Sequence, residues 1–252
     1  MALDYNVKDH VAYITLNRPE KMNAQNREMR IKMVEAWQNA KTDPDVWAVI
    51  ITGKGKAFSA GHDLSEDLTP EQKASDPGSS AVYEGLMELD KPVIAAINGV
   101  CLAQGAGVAL LTDIRIAADH VEFGWPQVRR GIGSVSGPAI LARAVPRNIA
   151  YEYLFTGEFF SAERAHELHL VNHVVPADQV MDKAEEIVDK IRKNAPLALR
   201  GIKQATIRTE TLDRADAFRV GSMQTALLRH TEDAKEGVAA FREKREPVWK
   251  GR

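Results

Sequence analysis

Two uninterrupted apolar runs, Val46–Ile51 and Val93–Ile97, constrain the fold of this chain more than any other feature. A strand with water on one face alternates polar and apolar residues; these runs do not, so each predicts a parallel strand covered on both faces. Both exit into small residues, Phe58-Ser59-Ala60-Gly61-His62-Asp63-Leu64 and Asn98-Gly99-Val100-Cys101-Leu102-Ala103-Gln104-Gly105-Ala106-Gly107. Small residues let backbone N–H groups approach a ligand closely. A helix starting near Gln104 or Gly105 adds its positive dipole end. Two N–H groups converging on one oxygen form an oxyanion hole, and the paired stretches predict such a site for developing negative charge.

The rest of the chain extends an α/β pattern. Val11–Leu16 predicts a strand that turns at Asn17-Arg18-Pro19-Glu20. Met29, Met33, Val34, Trp37 and Ala40 recur at helical spacing from Asn26 onward, and Pro44 ends that helix. The polar stretch Ser65–Ser80, with Pro70, Pro77 and Gly78, predicts a mobile surface loop before a helix from about Ser80 to Leu89. Ile114–Ala118 and Val171–Val175 predict strands, and Pro138–Ala144 a helix with proline in its first turn. Ser161 predicts the cap of a helix running to Leu168. Asp178–Arg192, Pro196–Thr209, Leu212–Arg229 and Glu232–Arg242 predict helices, so the last part of the chain is helical. No fixed-period repeat or low-complexity tract interrupts it.

Composition narrows the function classes. The 252 residues carry a formal net charge of −2, which points neither to nucleic acid nor to an anionic membrane. A single cysteine, Cys101, excludes an internal disulfide framework, offers no zinc pattern and fits a reducing, cytoplasmic setting. No apolar run approaches membrane length, and the N-terminus lacks an export signal.

Seven pieces, in order, resemble the crotonase superfamily, the enoyl-CoA hydratase/isomerase family, over essentially the whole length. They are Asn17-Arg18-Pro19-Glu20-Lys21-Met22-Asn23-Ala24, the Phe58–Leu64 stretch, Pro92–Gly99, Phe123-Gly124-Trp125-Pro126-Gln127, Gly131-Ile132-Gly133, Leu154-Phe155-Thr156-Gly157 and Lys244–Gly251. The resemblance implies a spiral of ββα turns over residues 1–195, followed by a helical trimerisation region over 196–252. It implies homotrimers or dimers of trimers, no permanently bound cofactor or metal, and a coenzyme A thioester as substrate. It places Lys21, Met22, Ala24, Ala60, Gly61, His62, Asp63, Leu64 and Gln104 against that thioester, with the N–H groups of Ala60 and Gln104 on its carbonyl oxygen. Phe241, Lys244 and Lys250 are implied to reach a neighbouring subunit's adenine site.

The chain departs from the family's hydratases where they carry two water-activating glutamates. Those positions fall on Gly107 and Gln127. Glycine transfers no proton, and an amide only orients water by hydrogen bonding. General acid–base help is worth about 10²–10⁴-fold, so two-glutamate hydration is expected to be weak. Isomerisation or hydration by another acid is then the leading expectation, with Ala60, Gln104 and Gln127 as its catalytic groups. Thioester or C–C bond hydrolysis with water held by Gln127, and a CoA-binding protein without turnover, are the alternatives.

Other residues carry double readings. His62 is a proton-transfer or CoA contact, or only a turn residue; Asp63 is a cap through backbone N–H groups. Glu66, Asp67, Glu84 and Glu122 are displaced bases or solvated charges. Asp113 reads as structural, and Trp125, Ser134 and Ser136 as pocket or core. Arg18, Lys21, Arg27, Lys54 and Lys56 form a basic group suited to CoA phosphates or a solvated face. Gly133-Ser134-Val135-Ser136-Gly137 is no nucleophile elbow, and Gly105-Ala106-Gly107 no dinucleotide fingerprint.

Overall fold

A computed structural model describes all residues 1–252. Ten strands form two sheets: β1 (Leu3–Lys8), β2 (Val11–Leu16), β3 (Ala48–Gly53), β4 (Ala57–Ser59), β5 (Val93–Ile97), β6 (Val100–Leu102), β7 (Ile114–Ala118), β8 (Glu122–Gly124), β9 (Phe159–Ser161) and β10 (His173–Val175). The larger sheet runs β1-β2-β3-β5-β7-β10 and the smaller β4-β6-β8-β9. All pairings are parallel except β1 with β2 and β8 with β9. β3–β4, β5–β6 and β7–β8 each place one strand in the large sheet and a short one in the small sheet. Helices carry the chain between these pairs, which makes the spiral of ββα turns.

The helices are α1 (Arg27–Thr42), α2 (Pro70–Ala74), α3 (Gly78–Met87), α4 (Gln104–Leu111), α5 (Ala142–Ala144), α6 (Arg147–Thr156), α7 (Ala162–Glu167), α8 (Val180–Arg192), α9 (Pro196–Thr209), α10 (Arg214–Leu228) and α11 (Glu232–Glu243). Asn26 caps α1 by accepting from the Met29 N–H, and Met29, Met33 and Trp37 turn inward at helical spacing. Lys91, almost wholly buried, closes the other end by donating to the carbonyls of Ala40 (2.6 Å) and Asp43 (2.5 Å). β3 and β5 are buried on both faces, as their unbroken apolar character requires. Val180, Ala184 and Val188 of α8 join that core.

Two expectations need correction. Ser65–Ser80 is not a continuous loop. Thr69 and Gln72 form a capping box that starts α2, Pro70 occupies the first turn where its missing N–H costs nothing, and α3 begins at Gly78. The helix expected over Pro138–Ala144 begins as a π-helical turn, Gly137–Leu141, that continues into α5.

α9 is tied to the ends of the central strands. Arg200 pairs with Asp90 at 2.8 Å and Lys203 with Asp113 at 2.7 Å. Asp113 also accepts the Val93 N–H at 2.7 Å, so it holds the start of β5.

Candidate active site

The two small-residue stretches touch. A Cβ on Gly61 (φ +93°) would lie 2.7 Å from the Ala103 Cβ and 3.1 Å from the Gln104 nitrogen. One on Gly105 would lie 2.5 Å from the Ser59 carbonyl oxygen. Any side chain at either position would force the stretches apart. Ala103 enters α4 at φ 52°, a conformation that a non-glycine residue holds only under constraint.

Backbone pairing decides which amides face outward. Gln25 donates to the Gly61 carbonyl at 2.7 Å and accepts from the Asp63 N–H at 3.2 Å, a short parallel bridge centred on His62. Alternation along an extended chain then turns the His62 N–H away from Gln25. The Ala60 N–H is spent on the Met22 carbonyl at 2.9 Å. This departs from the expectation for Ala60: its amide already donates to Met22, whereas the His62 N–H has no backbone acceptor. The Gln104 N–H heads α4, where first-turn amides have no intrahelical acceptor.

A cavity of about 730 Å³ opens over these groups. Lys21, Met22, Ala24, Ala60, His62, Asp63, Leu64, Gln104 and Gln127 all line it, while Gly61 lies beneath. Sequence reasoning missed Tyr83, Arg129, Arg130, Val135 and Phe159 in its wall. Of the expected basic group only Lys21 reaches the cavity. Arg18 is turned inward onto Asp63, and Arg27 donates to Ser75.

Asp63 is the one carboxylate in the lining. Burial pushes its pKa up, but hydrogen bonds from Ser65 (2.6 Å) and Arg18 (2.9 Å) outweigh that and bring it to about 2. It is a fixed anion rather than a proton carrier. Glu66 accepts the Arg27 N–H and pairs with Arg30, Glu84 faces a neighbouring cavity, and Asp67 and Glu122 are exposed. None of the four lines the site cavity.

His62 is held from behind. Its Nδ1 lies 3.3 Å from the Arg30 guanidinium, which only donates, so Nδ1 accepts and the ring proton sits on Nε2. Burial, then the Arg30 charge, lowers its pKa and keeps the ring neutral. Arg30 is itself fully buried, bonded to the Gln25 carbonyl (2.6 Å), Glu66 (3.1 Å) and Asp76 (2.9 Å through Nε). The Gln104 side chain is almost wholly buried, with neither amide heteroatom partnered. Gln127 donates to Ser134 at 3.5 Å, and its carbonyl oxygen has no partner.

Gly107 is walled in. A Cβ there would meet the Ser136 Cβ at 2.5 Å and the Tyr83 hydroxyl at 2.7 Å. Trp125 donates its indole N–H to the Ser136 hydroxyl (2.9 Å), which in turn donates to the Ala103 carbonyl (3.2 Å). Burial pushes the Tyr83 phenol up to about 12, so it keeps its proton.

Residues 6–252 match the enoyl-CoA hydratase/isomerase family. The chain belongs to that family. It is similar to an (E)-benzylidenesuccinyl-CoA hydratase of Thauera aromatica, 35% identical with both chains covered completely. It is also similar to a carnitinyl-CoA dehydratase of Salmonella paratyphi A, 38% identical over 95% of this chain and 94% of that one. A solved enoyl-CoA hydratase from Bacillus anthracis superposes with a TM-score of 0.93 at 33% identity, covering all of both chains. The fold of this family member is therefore the crotonase fold, and the protein is an acyl-CoA-processing enzyme. No helix is long and apolar enough to cross a membrane.

Proposed function

We propose that the cavity binds the acyl end of a coenzyme A thioester and stabilises its enolate between the N–H groups of His62 and Gln104. The observation carrying this reading is the unspent His62 N–H beside the head of α4. Each donor aimed at the developing oxyanion is worth about 3–4 kcal/mol of barrier. Charge drawn onto the thioester oxygen acidifies the α-carbon and makes the β-carbon of an enoyl chain electrophilic. Water addition, its reversal and double-bond migration all pass through that state.

The family's two glutamate positions correspond to Gly107 and Gln127, so proton transfer differs from the two-glutamate pattern. Gln127 orients water through its unpartnered carbonyl oxygen. Addition or elimination of water is favoured over isomerisation by the hydratase and dehydratase names of the relatives. Lys21, Arg129 and Arg130 at the mouth suit the phosphates of coenzyme A. No resident cofactor is required.

Turnover of a panel of enoyl-CoA and 3-hydroxyacyl-CoA thioesters tests this reading. Water addition or elimination is expected, and failure of every thioester to bind refutes the site. The only lining carboxylate being locked favours one rival, a CoA-binding family member without turnover. Tight binding with no product from any thioester would establish it.

We also infer that residues 196–252 form an assembly region of a homotrimer or dimer of trimers, working in the cytoplasm. Exposed Ile202 and Ile207 on α9 and Phe218, Met223 and Leu227 on α10 support this reading, because so much apolar surface suits a subunit interface. Light scattering on the purified protein is expected to give a multiple of three chains; a monomer would overturn it.

A further inference from the structure

The cavity wall near Gln104 contains a hydroxyl without a short hydrogen bond of its own. Three hydroxyl or amide donors stand there. Ser136 gives its only proton to the Ala103 carbonyl and receives the Trp125 N–H. Gln127 turns its NH₂ toward Ser134. With the Ser136 hydroxyl as its other polar neighbour, Tyr83 reaches the Gln104 carbonyl only at 3.5 Å. That is far beyond the usual O–H···O length of about 2.7–2.8 Å. A buried hydroxyl without a proper acceptor costs free energy that a ligand oxygen can return.

The placement follows from Gly107. Because position 107 carries no side chain, the Tyr83 and Ser136 hydroxyl oxygens come within 2.7 Å and 3.0 Å of the point where a Cβ would stand. Tyr83 thereby enters the cavity wall from α3. The phenol lies beside the carbonyl of Gln104, the residue whose N–H faces the thioester oxygen. One residue's span therefore separates the two donors. Val135 and Ser136 line the same cavity as the phenol.

We propose that Tyr83, which the bare Gly107 lets reach the cavity wall, donates a hydrogen bond to an oxygen on the β-carbon of the acyl group. The substrate class is thus a thioester with oxygen at that carbon, as hydroxyl, carbonyl or attacking water. This rests on the thioester reading of the cavity. Tyr83 holds this oxygen as a neutral donor. Its high pKa keeps the phenol protonated across the neutral range.

Calorimetric binding of butyryl-CoA and acetoacetyl-CoA to the wild type and to Tyr83→Phe tests the contact without requiring turnover. The two thioesters differ in the β-oxygen, and acetoacetyl-CoA has no β-hydroxyl to eliminate. One neutral hydrogen bond corresponds to a preference of about 5- to 10-fold for acetoacetyl-CoA. Tyr83→Phe is expected to bind both alike, with butyryl-CoA affinity unchanged. A preference that survives in Tyr83→Phe, or is missing from the wild type, overturns the Tyr83 assignment while leaving the thioester site standing. Failure of both compounds to bind the wild type overturns the thioester site and this contact with it.

Discussion

Replacing Arg30 with methionine tests the buried charge network behind the active site. Methionine keeps most of the aliphatic stem and removes the guanidinium. Arg30 has no exposed side-chain surface, and its partners Glu66 and Asp76 are only 15% and 13% exposed. Arg30→Met therefore strands two carboxylates that water reaches poorly, and it leaves the Gln25 carbonyl without its donor. Breaking a buried pair from one side costs about 3–5 kcal/mol, and the partial exposure of both acids places this case near about 3. For a chain of this size, 1 kcal/mol moves Tm by about 2–4 °C, so the loss is about 6–12 °C. Differential scanning calorimetry reads it directly.

The pH dependence supplies an independent check. The hydrogen bond from Arg30 holds the Asp76 carboxyl below the usual carboxylate range. A depressed folded pKa gives stability that is complete above the unfolded value, about 3.9, and fades as pH falls below it. The gap between wild type and Arg30→Met should therefore narrow in acid. His62 should titrate higher in the variant, because a neighbouring positive charge is gone. A Tm within about 2 °C of wild type at pH 7, or a gap that widens in acid, would refute the reasoning.

Three further outcomes follow from the same contacts. Gly107→Glu with Gln127→Glu should not raise crotonyl-CoA hydration above the wild-type rate and should lower Tm, because Tyr83 and Ser136 already fill the space at 107; a faster rate would contradict this. Arg18→Met should destabilise the protein near neutrality and lose that effect toward pH 2, since Asp63 keeps its charge down to about 2; denaturant midpoints across pH check it. Lys91→Met should cost about 2 kcal/mol in denaturant unfolding, the scale of hydrogen bonds from a charged donor to the α1 carbonyls.

The sequence made the covered strands legible because every residue of Val93–Ile97 must be apolar when both faces are buried. The small sheet was hidden. β4, β6, β8 and β9 have three residues each, too few for any periodicity to register. β1 was also missed, since its exposed face breaks the apolar signal. The capping box at Thr69 was written in the residues but masked by the prolines around it. Most of the expected residues that line the cavity were legible through their order in the chain. Which amide is left without a backbone acceptor was not, because the direction of the Ala60 amide depends on Met22, distant in sequence. The wall around Gly107 brings together Tyr83, Trp125 and Ser136 from three separate segments, and no local pattern joins them.

The bridge between Gln25 and the Gly61–Asp63 segment gives the cavity a parity. Odd and even amides of that segment point to opposite sides, so inserting or deleting a single residue between Ser59 and His62 would exchange inward and outward donors. Changes by two residues would preserve the phase. Side-chain identity at position 62 is released from that constraint, since any residue but proline brings the same N–H. The imidazole is thus free to vary for reasons of its own, while the length of the segment is not.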